Sequence, residues 1–393
     1  MYCFIFGFLF LKLVNLNIQA IFLLQPIDDK TVLWSSRDNQ YLVLENTTAL
    51  LVSKLSKGVA LEDISRELSQ ELSLPIKETT DFVQDLKKRF IDLGPSKLLN
   101  KPESLKDVVV PNHFSVEKFY KINELVIKAC FDSQESCFLI HPKFEHLEVE
   151  SQKHDFCFKT FTQDARIFLA VDNKLIGSWP FDEFHYFQGK YSMQLIQKIH
   201  NMQEDEWLGV FHASAVSDKK RAMLFLGDSG NGKSTSLALL QAHGFDCIAD
   251  DFVPVAAQSQ EIYSFPAAIS VKKTSLETLL PFYPELSDSK EYDFKVAQKI
   301  VRYLKPNNSD FSSHLPCKGL VFIKYIKDAP LSCEKIDKIT AFQKLVPDSW
   351  LSPIKENAAI FLDWFAALDC FELTYSNNTE MVAQVSKLFR DEL

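Results

Sequence analysis

The sequence predicts an α/β fold: a phosphate-loop domain with a β-rich N-terminal part, preceded by a small winged-helix-like α+β domain. Three observations carry this. Residues 227–235 read Gly-Asp-Ser-Gly-Asn-Gly-Lys-Ser-Thr, which fits the phosphate-cradling pattern G-x-x-x-x-G-K-[ST]. The apolar run 222–226 stands before it as a strand, and 236–242 opens a helix that Gly244 stops. Further upstream, three short apolar runs between residues 18 and 45 precede three segments of helical periodicity up to residue 93.

Composition narrows the class. A chain of 393 residues that is 46% hydrophobic, with 33 Phe against 11 Gly, suits two or three packed domains and leaves little room for low-complexity linkers. A net charge of −9 gives no basic footprint for nucleic acid. The eight Cys include no C-x-x-C pair, which suits reduced thiols in a cytoplasmic protein better than a zinc site or a disulfide framework. Residues 1–24 are apolar with a single charge, Lys12. They lack the basic start and small-residue cleavage site of a signal peptide. Lys12, Asn15, Asn17 and Gln19 dilute them below a convincing membrane span. A misplaced start or an N-terminal strand with an apolar extension (residues 1–15) is the preferred reading, and residues 1–25 allow weak membrane association.

From residue 16 to 95 the expected order is strands at 18–24, 30–36 and 40–45, then helices at 47–55 (capped by Asn46), 61–72 and 78–93. Leu61, Ile64, Leu68 and Leu72 share one helical face, as do Phe82, Val83, Leu86 and Phe90. Winged-helix modules often bind DNA, so charge decides. Between Tyr41 and Pro95 stand seven Lys or Arg and nine Asp or Glu. Lys87-Lys88-Arg89 falls where a helix macrodipole already favours cations, and phosphate neutralisation needs far more positive charge. Residues 96–117, with their prolines, read as a linker. Residues 118–205 read as a β-rich subdomain, including a strand-like stretch at 136–150 and a hairpin about Asp172-Asn173, before a helix at 191–202. His141, His146 and His154 then fall on strands as structural residues. Residues 206–393 form the nucleotide-binding domain, completed by a strand at 319–326, a helix at 356–368, a strand at 370–376 and a closing helix from Thr379.

In that domain, Gly227, Asp228, Ser229, Gly230, Asn231, Gly232, Lys233, Ser234 and Thr235 make the nucleotide-binding loop. Its backbone N–H groups and helix N-terminus attract phosphate, Lys233 reaches the β/γ-phosphates, and Ser234 ligates Mg²⁺. Residues 207–216 read as one strand with His212 and Ser214 on a common face. Residues 245–251 end in Asp250-Asp251, sixteen residues beyond Ser234, so a parallel neighbouring strand would bring both carboxylates to the loop. One carboxylate can hold Mg²⁺ while the other faces an incoming nucleophile.

Phe211-His212-Ala213-Ser214-Ala215-Val216, then the loop, then Ala249-Asp250-Asp251-Phe252-Val253 resembles the bacterial HPr kinase/phosphorylase family, whose fold is related to phosphoenolpyruvate carboxykinase. The resemblance spans about residues 120–390, and its specific motifs lie in 211–273. It implies an ATP- and Mg²⁺-dependent kinase in which Asp250 is the general base, His212 orients it, and Ser234 and Asp251 serve the metal. The family's Glu-Ile-Arg-Gly signature is absent: residues 264–273 read Ser-Phe-Pro-Ala-Ala-Ile-Ser-Val-Lys-Lys. Phosphorylase activity therefore falls outside the expectation, and Lys272 and Arg302 become candidate contacts to phosphate or substrate. Residues 18–95 resemble the small D protein of pyrroloquinoline quinone biosynthesis (PqqD-like), which holds a precursor's leader as an added strand. Together the two imply phosphorylation of a Ser hydroxyl on a peptide or protein held by the N-terminal module, with no nucleic-acid partner and with homo-oligomerisation left open. Two other readings stay open: a nucleotide-sensing binding protein without turnover, and a small-molecule kinase.

Overall fold

A computed structural model describes residues 22–92, 108–294 and 299–392. The chain is mixed α/β and divides into two compact units. The first starts as an antiparallel meander, β1 (Phe22–Ile27), β2 (Lys30–Ser35) and β3 (Gln40–Glu45), in which β2 is central. Residues 18–21 of the expected first strand lie outside the described residues. Helices α1 (Asn46–Ser56), α2 (Leu61–Leu72) and α3 (Ile76–Leu86) follow. Leu51, Leu55, Ile64, Leu68, Val83 and Leu86 interlock as their core, with Leu61 and Phe90 packed against it. Two expectations change here. Asn46 does not cap α1; its side chain accepts from Thr31 Oγ1 at 2.7 Å and donates to the Asp29 carbonyl at 3.1 Å, tying the helix start to the sheet. Leu72 and Phe82, placed by periodicity on the inner faces, are 49% and 45% exposed.

The second unit begins with a six-stranded sheet ordered β6-β4-β5-β7-β8-β9. Its strands are β4 (Val116–Ile122), β5 (Leu125–Phe131), β6 (Glu148–Val149), β7 (Phe156–Gln163), β8 (Arg166–Val171) and β9 (Lys174–Pro180). Asp172 and Asn173, both with positive φ (49° and 67°), make the two-residue hairpin between β8 and β9. Most of the stretch 136–150, read from sequence as strand, is instead helix α4 (Gln134–Phe144) and a short turn, and only Glu148–Val149 (β6) is extended. The reason is local. Ser133 Oγ accepts from Ser136 N at 3.1 Å while Ser136 Oγ accepts from Ser133 N, a reciprocal cap that stabilises the helix start. His141 therefore sits on a helix, where its Nδ1 meets Tyr120 Oη at 3.0 Å. Helix α5 (Phe184–His200) closes this part.

Next comes the sheet that carries the phosphate loop. Its strands are β10 (Trp207–Phe211), β11 (Ser214–Ser217), β12 (Ala222–Leu226), β13 (Asp246–Asp250), β14 (Val253–Ala256), β15 (Glu261–Tyr263), β19 (His314–Tyr325), β20 (Ser332–Lys335) and β22 (Asp369–Tyr375). Helix α6 (Lys233–Ala242) follows β12, and α10 (Asn378–Phe389) ends the chain. A separate three-stranded sheet, with the order β16-β18-β17, is made by β16 (Ile269–Lys272), β17 (Tyr292–Phe294) and β18 (Lys299–Leu304), with the short helix α7 (Leu276–Leu279) after β16. The order β13-β11-β12-β19 places β12 between an antiparallel β11 and a parallel β19, and β22 lies parallel on the far side of β19. β13 pairs antiparallel with β11, so it shares the direction of β12 with one strand between them, rather than being its immediate neighbour. Phe225, Leu237, Leu240, Val321, Leu373 and Met381 are buried together, which locks α6 and α10 onto the sheet. Full burial of a Leu of this kind contributes about 2 kcal/mol.

Residues 337–367, expected to help complete the nucleotide domain, belong to the first unit. They form α8 (Lys338–Leu345), β21 (Ser349–Leu351) and α9 (Lys355–Ala367). The Tyr41 ring lies edge-on to Phe342 and Phe361 at 5.9 and 5.4 Å, Asn39 donates to the Leu351 carbonyl at 2.8 Å, and Asp28 accepts from Lys338 N at 3.0 Å. Helix α9 is apolar on several sides, and the N-terminal sheet supplies cover for it. Phe361→Ala, at a fully buried position, should lower the first unit's stability by about 3–5 kcal/mol. In a denaturation series this appears as an earlier transition for the first unit. At the α4 start, Ser133→Ala should cost about 1 kcal/mol, read as a lower midpoint in urea.

Candidate functional site

The phosphate loop depends on backbone conformations that side chains oppose. Gly227 has φ 141°, and a Cβ there would stand 2.8 Å from the Ile323 carbonyl oxygen of β19. Gly232, at φ 95°, occupies the position that opens α6, and Ser236 N bonds its carbonyl at 2.7 Å. Only glycine holds both without strain. Asp228, Ser229 and Gly230 are exposed at the tip, while Asn231 N donates to the Asp228 carbonyl at 3.1 Å. The Asn231 carbonyl accepts from Tyr325 N at 3.1 Å, so the loop is anchored to the end of β19. Thr235 Oγ1 donates to Ser275 Oγ at 2.8 Å. Lys233 is 7% exposed and donates to the Gly227 carbonyl at 2.6 Å. Its ammonium therefore lies folded over the loop, where a phosphate oxygen would compete for it.

Asp250, at the end of β13, is the centre of the site. It is 2% exposed. Oδ1 accepts from Ser214 Oγ at 2.6 Å and from Ser234 Oγ at 3.1 Å, and Oδ2 accepts from Ser270 N at 3.1 Å. Three elements thus converge on one carboxylate: β11, the first turn of α6, and β16. Burial pushes its pKa up to about 6, helped by the neighbouring Asp251 charge and offset by the three donors. Asp251 is the opposite case. Burial would raise its pKa, but His212, Lys299, Lys143 and Lys233 act on it together and hold it well below the usual carboxylate range. Asp251 adopts φ 62°, a left-handed residue directly after the end of the strand.

His212 does not lie within a continuous strand. The run 207–216 is broken at His212-Ala213, because β10 pairs with β14 whereas β11 pairs with β12 and β13. His212 is exposed in that break, and its charge acts on Asp251. Lys272 does reach the loop, donating to Ser229 Oγ at 3.0 Å. Arg302 does not: its guanidinium is committed to the carbonyls of Leu286, Ser287 and Ser289 and to Glu291. Sequence reasoning missed Lys143, Lys299 and Ser270. Lys143 gave no signal, since it stands in α4, more than a hundred residues before Asp250 and in a stretch read as strand.

Among the described residues no cluster of three or more His, Cys, Asp or Glu is arranged to hold a metal. Ser234 and Asp250, bridged at 3.1 Å, nevertheless present hard oxygen donors that fit Mg²⁺, which usually keeps several waters and takes phosphate oxygens as well. Among the described residues no helix is long and apolar enough to cross a membrane. Most of the apolar stretch 1–25 falls outside them.

No family model and no curated protein sequence matches the chain. Among solved structures, the HPr(Ser) kinase/phosphatase from Coxiella burnetii is a structural neighbour, at 10% identity and a TM-score of 0.21, covering 46% of this chain and 94% of that one. What the site can do rests on its own residues.

The electrostatics give a signed expectation. Work that requires ionised Asp250 is available above pH 6 and is lost as pH falls through that value, because the carboxyl then takes up a proton. The Asp250 carboxyl signal, followed by NMR across a pH series, should therefore show an acid limb near pH 6. Ser214→Ala removes a donor that lowers the Asp250 pKa, so the limb should move to higher pH by about one unit. A limb that stays in place in that variant would remove Asp250 from the titration.

Proposed function

We propose that this chain is an ATP- and Mg²⁺-dependent phosphotransferase of the HPr kinase-like kind, acting on a Ser hydroxyl of a peptide or protein. The observation that carries the reading is the shared acceptor Asp250 Oδ1, which joins the hydroxyl of the phosphate-loop Ser234 to Ser214, with a second, strongly ionised carboxylate one residue away. A nucleotide-binding loop alone supports only binding. A loop serine tied to one aspartate, beside another that stays charged, supports transfer.

The geometry favours exchanging the roles that the family resemblance implies for the two carboxylates. Asp250 is buried and bonded to Ser234, so it belongs on the metal side. Asp251 is partly exposed, lies in the field of His212 and is open to an incoming hydroxyl. Ser234 and Asp250 would hold Mg²⁺, which when bound neutralises charge on the β- and γ-phosphates. The chain's own residues do the rest. The loop backbone and Lys233 bind the triphosphate, Lys272 closes over the loop tip, and Asp251 accepts the proton of the attacking hydroxyl. A carboxylate this acidic is a weak base. Its contribution in a loose, in-line transfer is chiefly to orient the hydroxyl.

In the first unit, β1 and β3 stand at the edges of the three-stranded sheet, and strand addition there is the mode by which the module would hold a leader peptide. Tethering an acceptor in this way raises its effective concentration without a new catalytic contact.

The test is incubation of the full chain with Mg²⁺-ATP and short Ser-containing peptides encoded beside its gene, read by mass spectrometry. The expected result is one phosphate added per modified Ser. Lys233→Ala should abolish transfer, and Asp251→Asn should lower kcat by about 10²-fold or more while leaving nucleotide affinity near wild type. Nucleotide binding without transfer to any such peptide would reject the peptide kinase.

A further inference from the structure

One buried hydroxyl and two partly exposed ammonium groups near the aspartate pair make no side-chain hydrogen bond or ion pair among the described residues. Ser270 is 7% exposed and its Oγ has no hydrogen-bond partner, although its own N–H is bonded to Asp250. Lys143, partly buried in the last turn of α4, makes no side-chain hydrogen bond or ion pair among the described residues, and its charge acts on both Asp250 and Asp251. Lys299, which opens β18, is in the same position and also acts on Asp251. The Lys143 backbone is fixed: its carbonyl accepts from Ala268 N at 2.9 Å, just before β16. Three separate elements, α4, β16 and β18, thus each bring a donor side chain near the aspartate pair. A buried hydroxyl is almost always paired, and with Lys143, Lys299 and Lys233 around two carboxylates the ammonium groups outnumber the acids, so this arrangement fits an anion.

We propose that Lys143, with Lys299 and the Ser270 hydroxyl, forms an oxyanion subsite for the phosphoryl group in transit, and that Lys143 is a catalytic residue supplied by the β-rich part of the unit. The inference rests on the phosphotransferase reading and adds to it a second cationic arm facing the one formed by the loop and Lys233. The plain alternative is a lysine that complements the C-terminal dipole of α4. Such a lysine would stabilise the helix and leave phosphoryl chemistry untouched.

The two are separated by binding of MgADP with and without aluminium fluoride, a mimic of the phosphoryl group in flight, to the full chain. In the wild type, fluoride should tighten ADP at least tenfold. Lys143→Met should keep the affinity for MgADP within about twofold and lose most of that gain, on the order of 10-fold or more, with Lys143→Arg recovering part of it. Lys299→Met should reduce the gain less and serves as the second variant if Lys143→Met does not fold. An unchanged fluoride gain in Lys143→Met, or no gain in the wild type that binds MgADP, overturns the subsite alone. A wild type that fails to bind MgADP overturns the phosphotransferase reading and the subsite with it.

Discussion

The site is organised by the need to solvate one buried carboxylate. Asp250 is almost wholly withdrawn from water, so its charge is met by protein donors, and three arrive from different parts of the chain. A buried carboxylate with incomplete partners is strongly destabilising. The requirement therefore constrains geometry far beyond the site. It ties the first turn of α6 to β11 and to the end of β13, and it holds the β16 backbone against the end of β13. The phosphate loop lies between those anchors. Its conformation is set by two glycines whose positions beside β19 and before α6 admit no side chain without strain.

The same carboxylate accounts for the contrast between the two aspartates. Adjacent ionised groups repel, and the surroundings resolve the conflict unevenly. Asp250 takes the dry position and gives up part of its acidity. Asp251 turns out through a left-handed residue into a field of cations and keeps its charge. Separating two like groups by environment is a common way to assign different duties to neighbouring residues. Here the separation starts from a strand end and a single turn and is completed by His212 and by lysines from α4, β18 and the start of α6.

How much of this was legible in the sequence depends on whether the signal was local. The loop, its strand and its helix were legible because glycine, lysine and serine at fixed spacing have few other uses. The β8–β9 hairpin was legible because Asp-Asn accepts positive φ. α4 was misread since its cue is a Ser–Ser cap, weaker than the usual Ser–Glu pair, in a stretch rich in Phe, Leu and Ile. The break at His212 was hidden because a change of partner strands leaves no trace in alternation. The placement of β13 one strand away from β12 was equally hidden, although the consequence inferred from adjacency, carboxylates near the loop, survives it. Lys143, Lys299 and Ser270 depend on contacts across long stretches of chain, which no local pattern encodes. Arg302, chosen for its charge, is taken up by backbone carbonyls that only the folded turn brings to it.

The chain path through the first unit has a consequence for how the protein is made. That unit is assembled from the N-terminal residues and from 337–367, with the whole of the phosphate-loop sheet up to β20 encoded between them. On the ribosome the meander and its three helices emerge first, but the aromatic partners of Tyr41 emerge some three hundred residues later. At the usual pace of synthesis, about 5–20 residues per second, the early segment waits on the order of tens of seconds with an apolar face uncovered. The return to the larger sheet is close by: Ile336 N bonds the Cys370 carbonyl at 3.0 Å, so the inserted segment leaves and re-enters at neighbouring points. Deleting the N-terminal module would likewise strip the cover from α8 and α9. A truncated chain would report the exposure of that surface before it reported anything about substrate choice.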